Sequence, residues 1–420
     1  MGRAAHFPAA IGPCFRVVLA CLAALTALAA PAVGAAPRTA DPALAQRLAH
    51  ALTVPHVAAA RTGAAAIDLA DGAAVYTQNG ALPLAPASNE KLPLTLAALL
   101  DLGPGFRIDT DVLGIGEQVG PIWDGRLVLR GYGDPQLTSG GLARLAAAVR
   151  AAGIERVTGG IVADESFFDS LRIVSGWKRS FYMDESPPLS ALVVDRAIYA
   201  HHMTAAPALA AGLLFRAALR QAGVTVPGAV TVGQPAELAT PLATIQSPPL
   251  WRILRFMDRE SDNFTAELLL KQLGAFAGDQ GTSAGGAAEV LAVLQREEIP
   301  TEGVTIVDGS GLSVLDRLTP DCILGILRAA WTKPALRAAF TSVLPVAGRN
   351  GTLQHRMRTG PARGRVLAKT GTTDLASALS GFAAGRYAFA VLQNGHPISA
   401  WWARTAQDRF ATALVRAASH

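Results

Sequence analysis

Residues 86–100 read PASNEKLPLTLAALL, and two of them, Ser88 and Lys91, stand three apart at the mouth of an otherwise apolar run. On a helix, side chains at i and i+3 share a face, so the amine can reach the hydroxyl. A lysine at an apolar helix start loses solvation, which lowers its pKa and makes the neutral, base-competent form accessible. The same letters also describe a capped helix, with Ser88 as N-cap and Lys91 reaching for water. Spacing alone does not choose between them. Ser175-Gly176-Trp177-Lys178 repeats it with no helical periodicity and no apolar helix behind it.

The surrounding chain has 420 residues, half of them hydrophobic and 16% charged, which describes a globular protein large enough for two domains. Residues 1–36 have the order of an export signal: Arg3 and Arg16, an apolar stretch from Val17 to Ala30, the breaker Pro31, then small residues for cleavage near Ala35 or Ala36. The apolar stretch is short for a membrane span, and no long apolar run follows, so the processed chain is expected to have no stable span and to lie in the periplasm or another extracytoplasmic space. Removing the signal takes two arginines and no acid, so the net charge falls from +5 to +3, too mild to suggest nucleic acid. Cys14 and Cys21 leave with it. Cys322 is then alone, so no internal disulfide is expected.

Helical spacing is read over residues 42–53, and two strands over 62–69 and 73–77 around the turn Ala70-Asp71-Gly72. The opening stretch continues as an apolar helix to about Leu102. Short strand-like pieces follow, at 126–130 and 156–162, with modest helices at 141–152 and 207–222. Helix returns at 250–260 and 263–273. The end is a strand meander, 364–369, 377–383 and 387–392, closed by an amphipathic helix over 400–418 that suits packing on that sheet. This order predicts a main domain in two pieces, 37–102 and 246–420, with an insertion at 103–245.

Other chemistries fare worse. Gly281-Thr282-Ser283-Ala284-Gly285 has the letters of a nucleophile elbow, but no strand precedes it, and Ser283 reads as a helix N-cap. Asp308-Gly309-Ser310-Gly311-Leu312-Ser313 follows a strand-like 304–307 and lacks the lysine of a phosphate-binding loop, so it reads as a tight turn. His201-His202 has no acidic or histidine partner at ligand spacing, and no metal is expected. Gly131-Tyr132-Gly133-Asp134-Pro135 puts proline where a dinucleotide fingerprint needs a helix start, and no cofactor is expected.

What lifts Ser88 is company. Ser261-Asp262-Asn263 lies between two helices, and Lys369-Thr370-Gly371 ends a strand of the meander. Each is weak alone, but the ordered set Ser-x-x-Lys, Ser-x-Asn and Lys-Thr-Gly is rare and belongs to penicillin-interacting enzymes. With these motifs the chain resembles the D-alanyl-D-alanine carboxypeptidase/endopeptidases, the low-molecular-mass class C penicillin-binding proteins. The Gly133-Asp134-Pro135 turn, Ser190-Ala191-Leu192, residues 308–313, 344–348 with Gly351-Thr352-Leu353, and 368–372 extend the likeness from about residue 40 to the end.

The resemblance implies an α+β fold: a penicillin-binding, β-lactamase-like transpeptidase domain with a five-stranded antiparallel sheet flanked by helices, plus an inserted mixed α/β region. It implies substrates that are peptidoglycan stem peptides ending in D-Ala-D-Ala, and covalent capture by β-lactams. It also implies roles. Ser88 is the nucleophile and Lys91 its base; Ser261 relays a proton to the leaving amine; Asn263 holds the peptide amide. Lys369, with Thr370, Gly371 and Thr372, receives the terminal carboxylate, and the amides of Ser88 and Thr372 form the oxyanion hole. Lys369 is further expected to keep Lys91 neutral by repulsion. Pro93, two residues after Lys91, removes a backbone donor and is expected to bend the helix start. The alternatives are a β-lactamase, which the long insertion argues against, and an idle wall-binding scaffold.

Overall fold

Tyr387–Asn394 is buried at every position but its last, and Ala376–Ala383 at every position. Strands so covered need helices on both faces, and the alternation of small and large apolar residues in them provides two packing surfaces. The computed structural model describes residues 41–235, 238–278 and 280–419. The expected signal, residues 1–36, lies outside them.

In chain order the helices are α1 (Pro42–Leu52), α2 (Lys91–Asp101), α3 (Ser139–Ala151), α4 (Pro207–Gln221), α5 (Leu250–Glu260), α6 (Asn263–Phe276), α7 (Ser283–Arg296), α8 (Pro320–Thr332), α9 (Pro334–Val343) and α10 (Ala400–Ala417). The strands are β1 (Thr62–Asp68), β2 (Ala74–Gln78), β3 (Asp109–Val119), β4 (Ile122–Gly131), β5 (Arg156–Val157), β6 (Ile161–Asp164), β7 (Ile198–Tyr199), β8 (His202–Met203), β9 (Val230–Val232), β10 (Thr240–Gln246), β11 (Val366–Thr372), β12 (Ala376–Ala383) and β13 (Tyr387–Asn394).

The main sheet runs β11-β12-β13-β1-β2, antiparallel throughout, as expected. On one face α1 and α10 cover Ala64, Ala66, Val366, Ala368 and Phe389 with Leu48, Phe410 and Leu414. The last helix therefore packs on the sheet. On the other face α2 and α5 to α9 form a second core with Ala65, Ile67, Ala378 and Phe382. Within it α2 is buried on all sides, Leu92, Leu94, Leu96 and Leu99 included, and such a helix is central to a core rather than amphipathic. A further sheet, β10-β3-β4-β6-β9 with β5 beside β4, is antiparallel on one side and parallel on the other. Its strands all fall between residues 109 and 246, and α3 and α4 pack on it through Leu145, Val149, Phe215 and Leu219.

Three local readings need correction. Residues 304–307 form no strand; only an isolated bridge joins Thr305 to Arg317. Ser88 caps no helix, because residues 87–90 wind as a 3-10 turn and α2 begins after them at Lys91. Thr282, not Ser283, caps α7, its hydroxyl accepting from Gly285 N. Pro93 falls in the first turn of α2, where no intrahelical donor is required, so its missing N–H is tolerated there. Among the described residues no helix is long and apolar enough to cross a membrane.

Candidate active site

Ser88 sits in the 3-10 turn, half-buried, after Ala87, whose φ of 47° is unusual for a residue with a Cβ. Backbone in that region costs about 1–3 kcal/mol and persists only where the surroundings impose it. Lys91 opens α2 and is fully buried. Its Nζ lies 3.2 Å from Ser88 Oγ, 2.9 Å from Asn263 Oδ1 and 2.8 Å from the carbonyl of Ser310. Burial holds its pKa below the ordinary lysine value, against the opposing pull of Asp308, Glu267, Asp262 and Asp258. The neutral amine has two hydrogens and one lone pair. With its hydrogens given to Asn263 and Ser310, the lone pair is left for the Ser88 hydroxyl proton.

Asn263 is placed by a break between helices. α5 ends in Ser261 at φ 59°, and Asp262 caps α6 by accepting from Thr265 N at 2.8 Å. The two terminal guanidinium nitrogens of Arg196, Nη1 and Nη2, donate to Asp262 at 3.1 and 2.8 Å. The break turns Ser261 towards the sheet, where Lys369 Nζ donates to its Oγ at 2.8 Å and to the Thr370 carbonyl at 2.9 Å. Lys369 is buried too, and its pKa is pushed down to about 7 by burial first and the charge of Lys91 second, with Asp258 opposing. The repulsion between the two lysines is thus felt at Lys369, while burial is the largest cause at Lys91.

β11 carries all of Lys369, Thr370, Gly371 and Thr372 rather than ending before them, and it is the edge strand beside the 3-10 turn. Asn89 Nδ2 donates to the Lys369 carbonyl at 3.1 Å. A Cβ on Gly371 would stand 2.9 Å from the Pro86 carbonyl and 3.0 Å from Ser88 N, so glycine is what lets this strand approach the serine. The eight residues singled out in the sequence therefore share one site: Ser88, Lys91 and Asn263 in one hydrogen-bonded group, Ser261 and Lys369 in another, and the β11 residues along its edge.

The sequence reading missed what lies beneath. The turn at Asp308–Ser313 supplies the carbonyl that receives Lys91. It is held by the Asp308 carboxylate, which accepts from the amides of Ser310, Gly311 and Ser313 at 3.1, 2.6 and 2.7 Å, and by Glu267, which accepts from Ser310 N at 2.9 Å. Burial and the nearby Asp308 raise the pKa of Glu267 to about 8 and that of Asp316 to about 12. Glu90, buried with neither oxygen bonded, is raised well above the ordinary range by desolvation first. For all three acids burial is the largest cause, and the neighbouring carboxylates push in the same direction. The sequence marked residues 308–313 as a glycine-rich turn and as part of the family likeness, but gave them no role.

The spacing decoy also has a place. Trp177 Nε1 donates to Asp308 Oδ2 at 2.8 Å, Ser175 O accepts from Ser313 Oγ, and Lys178 pairs with Asp374, so this stretch braces the turn and forms no helix. Ser283 lines a separate apolar cavity with Leu171 and Ile173. Among the described residues no group of three or more His, Cys, Asp or Glu is arranged to hold a metal.

The fold thus gathers a serine, two lysines and an asparagine around one edge strand. The model of the D-Ala-D-Ala carboxypeptidase 3 (S13) family matches residues 44–207 and 200–417. A D-alanyl-D-alanine carboxypeptidase of Actinomadura sp. is 31% identical, over 87% of this chain and 83% of the relative. A carboxypeptidase, DacB, of Mycolicibacterium smegmatis is 33% identical over 83% and 78%. Penicillin binding protein 4 of Haemophilus influenzae superposes with a TM-score of 0.78 at 23% identity, covering 89% of this chain and 99% of that one, and has also been seen complexed with a β-lactam. At that identity the likeness speaks to the fold. The chain belongs to the D-Ala-D-Ala carboxypeptidase 3 (S13) family and is a hydrolase.

Proposed function

We propose that this chain is a serine-type carboxypeptidase that removes the terminal D-alanine from peptidoglycan stem peptides ending in D-Ala-D-Ala, and that the same site acts as a D,D-endopeptidase on cross-links. The observation that carries this reading is the position of Lys91, whose amine spends two hydrogens on Asn263 and Ser310 and faces the Ser88 hydroxyl with the third position. Lys91 takes the proton of Ser88 as its Oγ attacks the carbonyl between the two D-alanines. The resulting oxyanion is received by the amides of Ser88 and Thr372, which the glycine at 371 allows to converge. The tetrahedral intermediate then expels the terminal amine, which takes the proton held by Lys91, relayed through Ser261, whose hydroxyl accepts from Lys369. Asn263 holds the amide of the bound peptide. Thr370, Thr372 and Lys369 receive its terminal carboxylate. Water then attacks the Ser88 ester, giving a proton to Lys91, and Lys91 passes that proton to Ser88 Oγ as the shortened peptide leaves with the water's oxygen in its new carboxylate. A β-lactam follows the same path to a slowly hydrolysed ester.

The discontinuous piece, residues 37–102 and 246–420, carries the site in this reading, and 103–245 is an insertion. Residues 1–36 direct export to the periplasm or an equivalent space, where these substrates are found. The test is D-alanine release from a D-Ala-D-Ala pentapeptide by the wild type and its loss in Ser88→Ala. Rapid nitrocefin hydrolysis without D-alanine release would replace the reading by that of a β-lactamase.

A further inference from the structure

One cation at the mouth of the site has no part in the scheme above. Arg404 lies one turn into α10, is exposed, and donates from Nη2 to Thr372 Oγ1 at 3.2 Å. We propose that Arg404 determines specificity by binding the C-terminal carboxylate of the peptide, together with the hydroxyls of Thr370 and Thr372. This rests on the carboxypeptidase reading and names the group that selects its substrates.

The alternation of β11 sets the geometry. Val366 and Ala368 pack in the core shared with α10, whereas Leu367 packs in the opposite core and Lys369 reaches Ser261 on that side. Successive side chains of a strand point to opposite faces, so Thr370 and Thr372 point to the α10 side, with Arg404. Thr370 Oγ1 meets Thr352 Oγ1 at 2.7 Å, which sets two threonine hydroxyls and a guanidinium along one rim. No ion pair engages Arg404 among the described residues. Asp408, one turn further along the same helix, is held by Arg356 at 2.7 Å. A guanidinium offers five donors in a fixed fork that matches a carboxylate, and here one of them is used on Thr372.

Lys369 is poorly placed to supply this charge by itself. It is fully buried, donates to Ser261 and to its neighbouring carbonyl, and with a pKa near 7 is only partly protonated in neutral solution. Arginine remains charged throughout. Division of labour follows: Lys369 polarises Ser261, and Arg404 draws the carboxylate to the threonines.

The experiment compares two peptides, an acylated Lys-D-Ala-D-Ala as free acid and the same peptide as C-terminal amide, on the wild type, Arg404→Ala and Arg404→Lys. We expect Arg404→Ala to raise KM for the acid about tenfold or more with kcat nearly kept, to leave the amide unchanged, and Arg404→Lys to recover part of the loss. Acid and amide falling together in Arg404→Ala, or neither falling, would overturn the inference while the carboxypeptidase reading stands. A wild type that hydrolyses neither peptide would overturn that reading and the inference with it.

Discussion

Lys91 Nζ donates to the carbonyl of Ser310 at 2.8 Å, a contact between residues 219 apart in the chain. The carbonyl belongs to a turn held by the carboxyl groups of Asp308 and Glu267, so the aim of the amine at Ser88 is set from a distance, chiefly by Asp308 with its three amide contacts.

Asp308→Asn keeps the size of the side chain and removes its charge, along with acceptor capacity for the amides of Ser310, Gly311 and Ser313 and for Trp177. Hydrogen bonds to a charged group contribute roughly 1.5–3 kcal/mol each, so we expect a loss of at least about 2 kcal/mol in urea unfolding and a penicillin acylation rate down tenfold or more. Unchanged acylation would separate the turn from the placement of Lys91.

Acylation should fall on the acid side as Lys91 gains a proton, and on the alkaline side as Lys369, with its pKa near 7, loses the charge that polarises Ser261. Asp258, fully buried and bonded to Thr95 at 2.8 Å, favours the protonated form of Lys369. Asp258→Asn removes that favour, so the alkaline limb of kcat/KM should move to lower pH. A limb that stays in place would exclude Lys369 as its source.

Glu90 is buried without a partner and has a raised pKa, so it keeps its proton in the folded protein at pH values where the unfolded chain has lost it. Between the unfolded value near 4.5 and the folded one, the folded state binds more protons and stability falls as pH rises. Glu90→Gln is neutral throughout and should flatten that fall, gaining relative to wild type as pH rises above the unfolded value. Denaturation midpoints at several pH values measure it, and parallel curves for the two proteins would contradict it.

Gly371→Ala inserts a Cβ at 2.9 Å from the Pro86 carbonyl and 3.0 Å from Ser88 N. The strand must move away from the serine by a few tenths of an ångström. Misplacement on this scale lowers rates by up to about 10²-fold, so we expect acylation reduced at least tenfold with thermal stability nearly kept. Normal acylation by this variant would show that the strand need not approach so closely.

The paired strands at 62–78, the helices flanking Ser261 and the terminal meander were legible because they are apolar runs bounded by turn or polar residues. So were the residues of the three motifs, whose types have few purely structural uses in that order. Three other features were not. The Asp308 turn looked ordinary because its function is carried by a backbone carbonyl, which has no letter. Nothing in the local sequence marks Glu90, Glu267 and Asp258 as buried, and only long-range packing puts them in the core. Ser88 looked like an N-cap because the 3-10 turn that carries it is imposed by the close approach of β11.

The central claim is that Ser88 is the residue acylated. Intact-mass spectrometry of the purified protein after benzylpenicillin, followed by peptide mapping, tests it most directly. We expect one added penicilloyl group per chain, located on the peptide containing Ser88, and no addition to Ser88→Ala. An adduct of the same mass on Ser88→Ala, or one mapped to another serine in the wild type, would contradict the account.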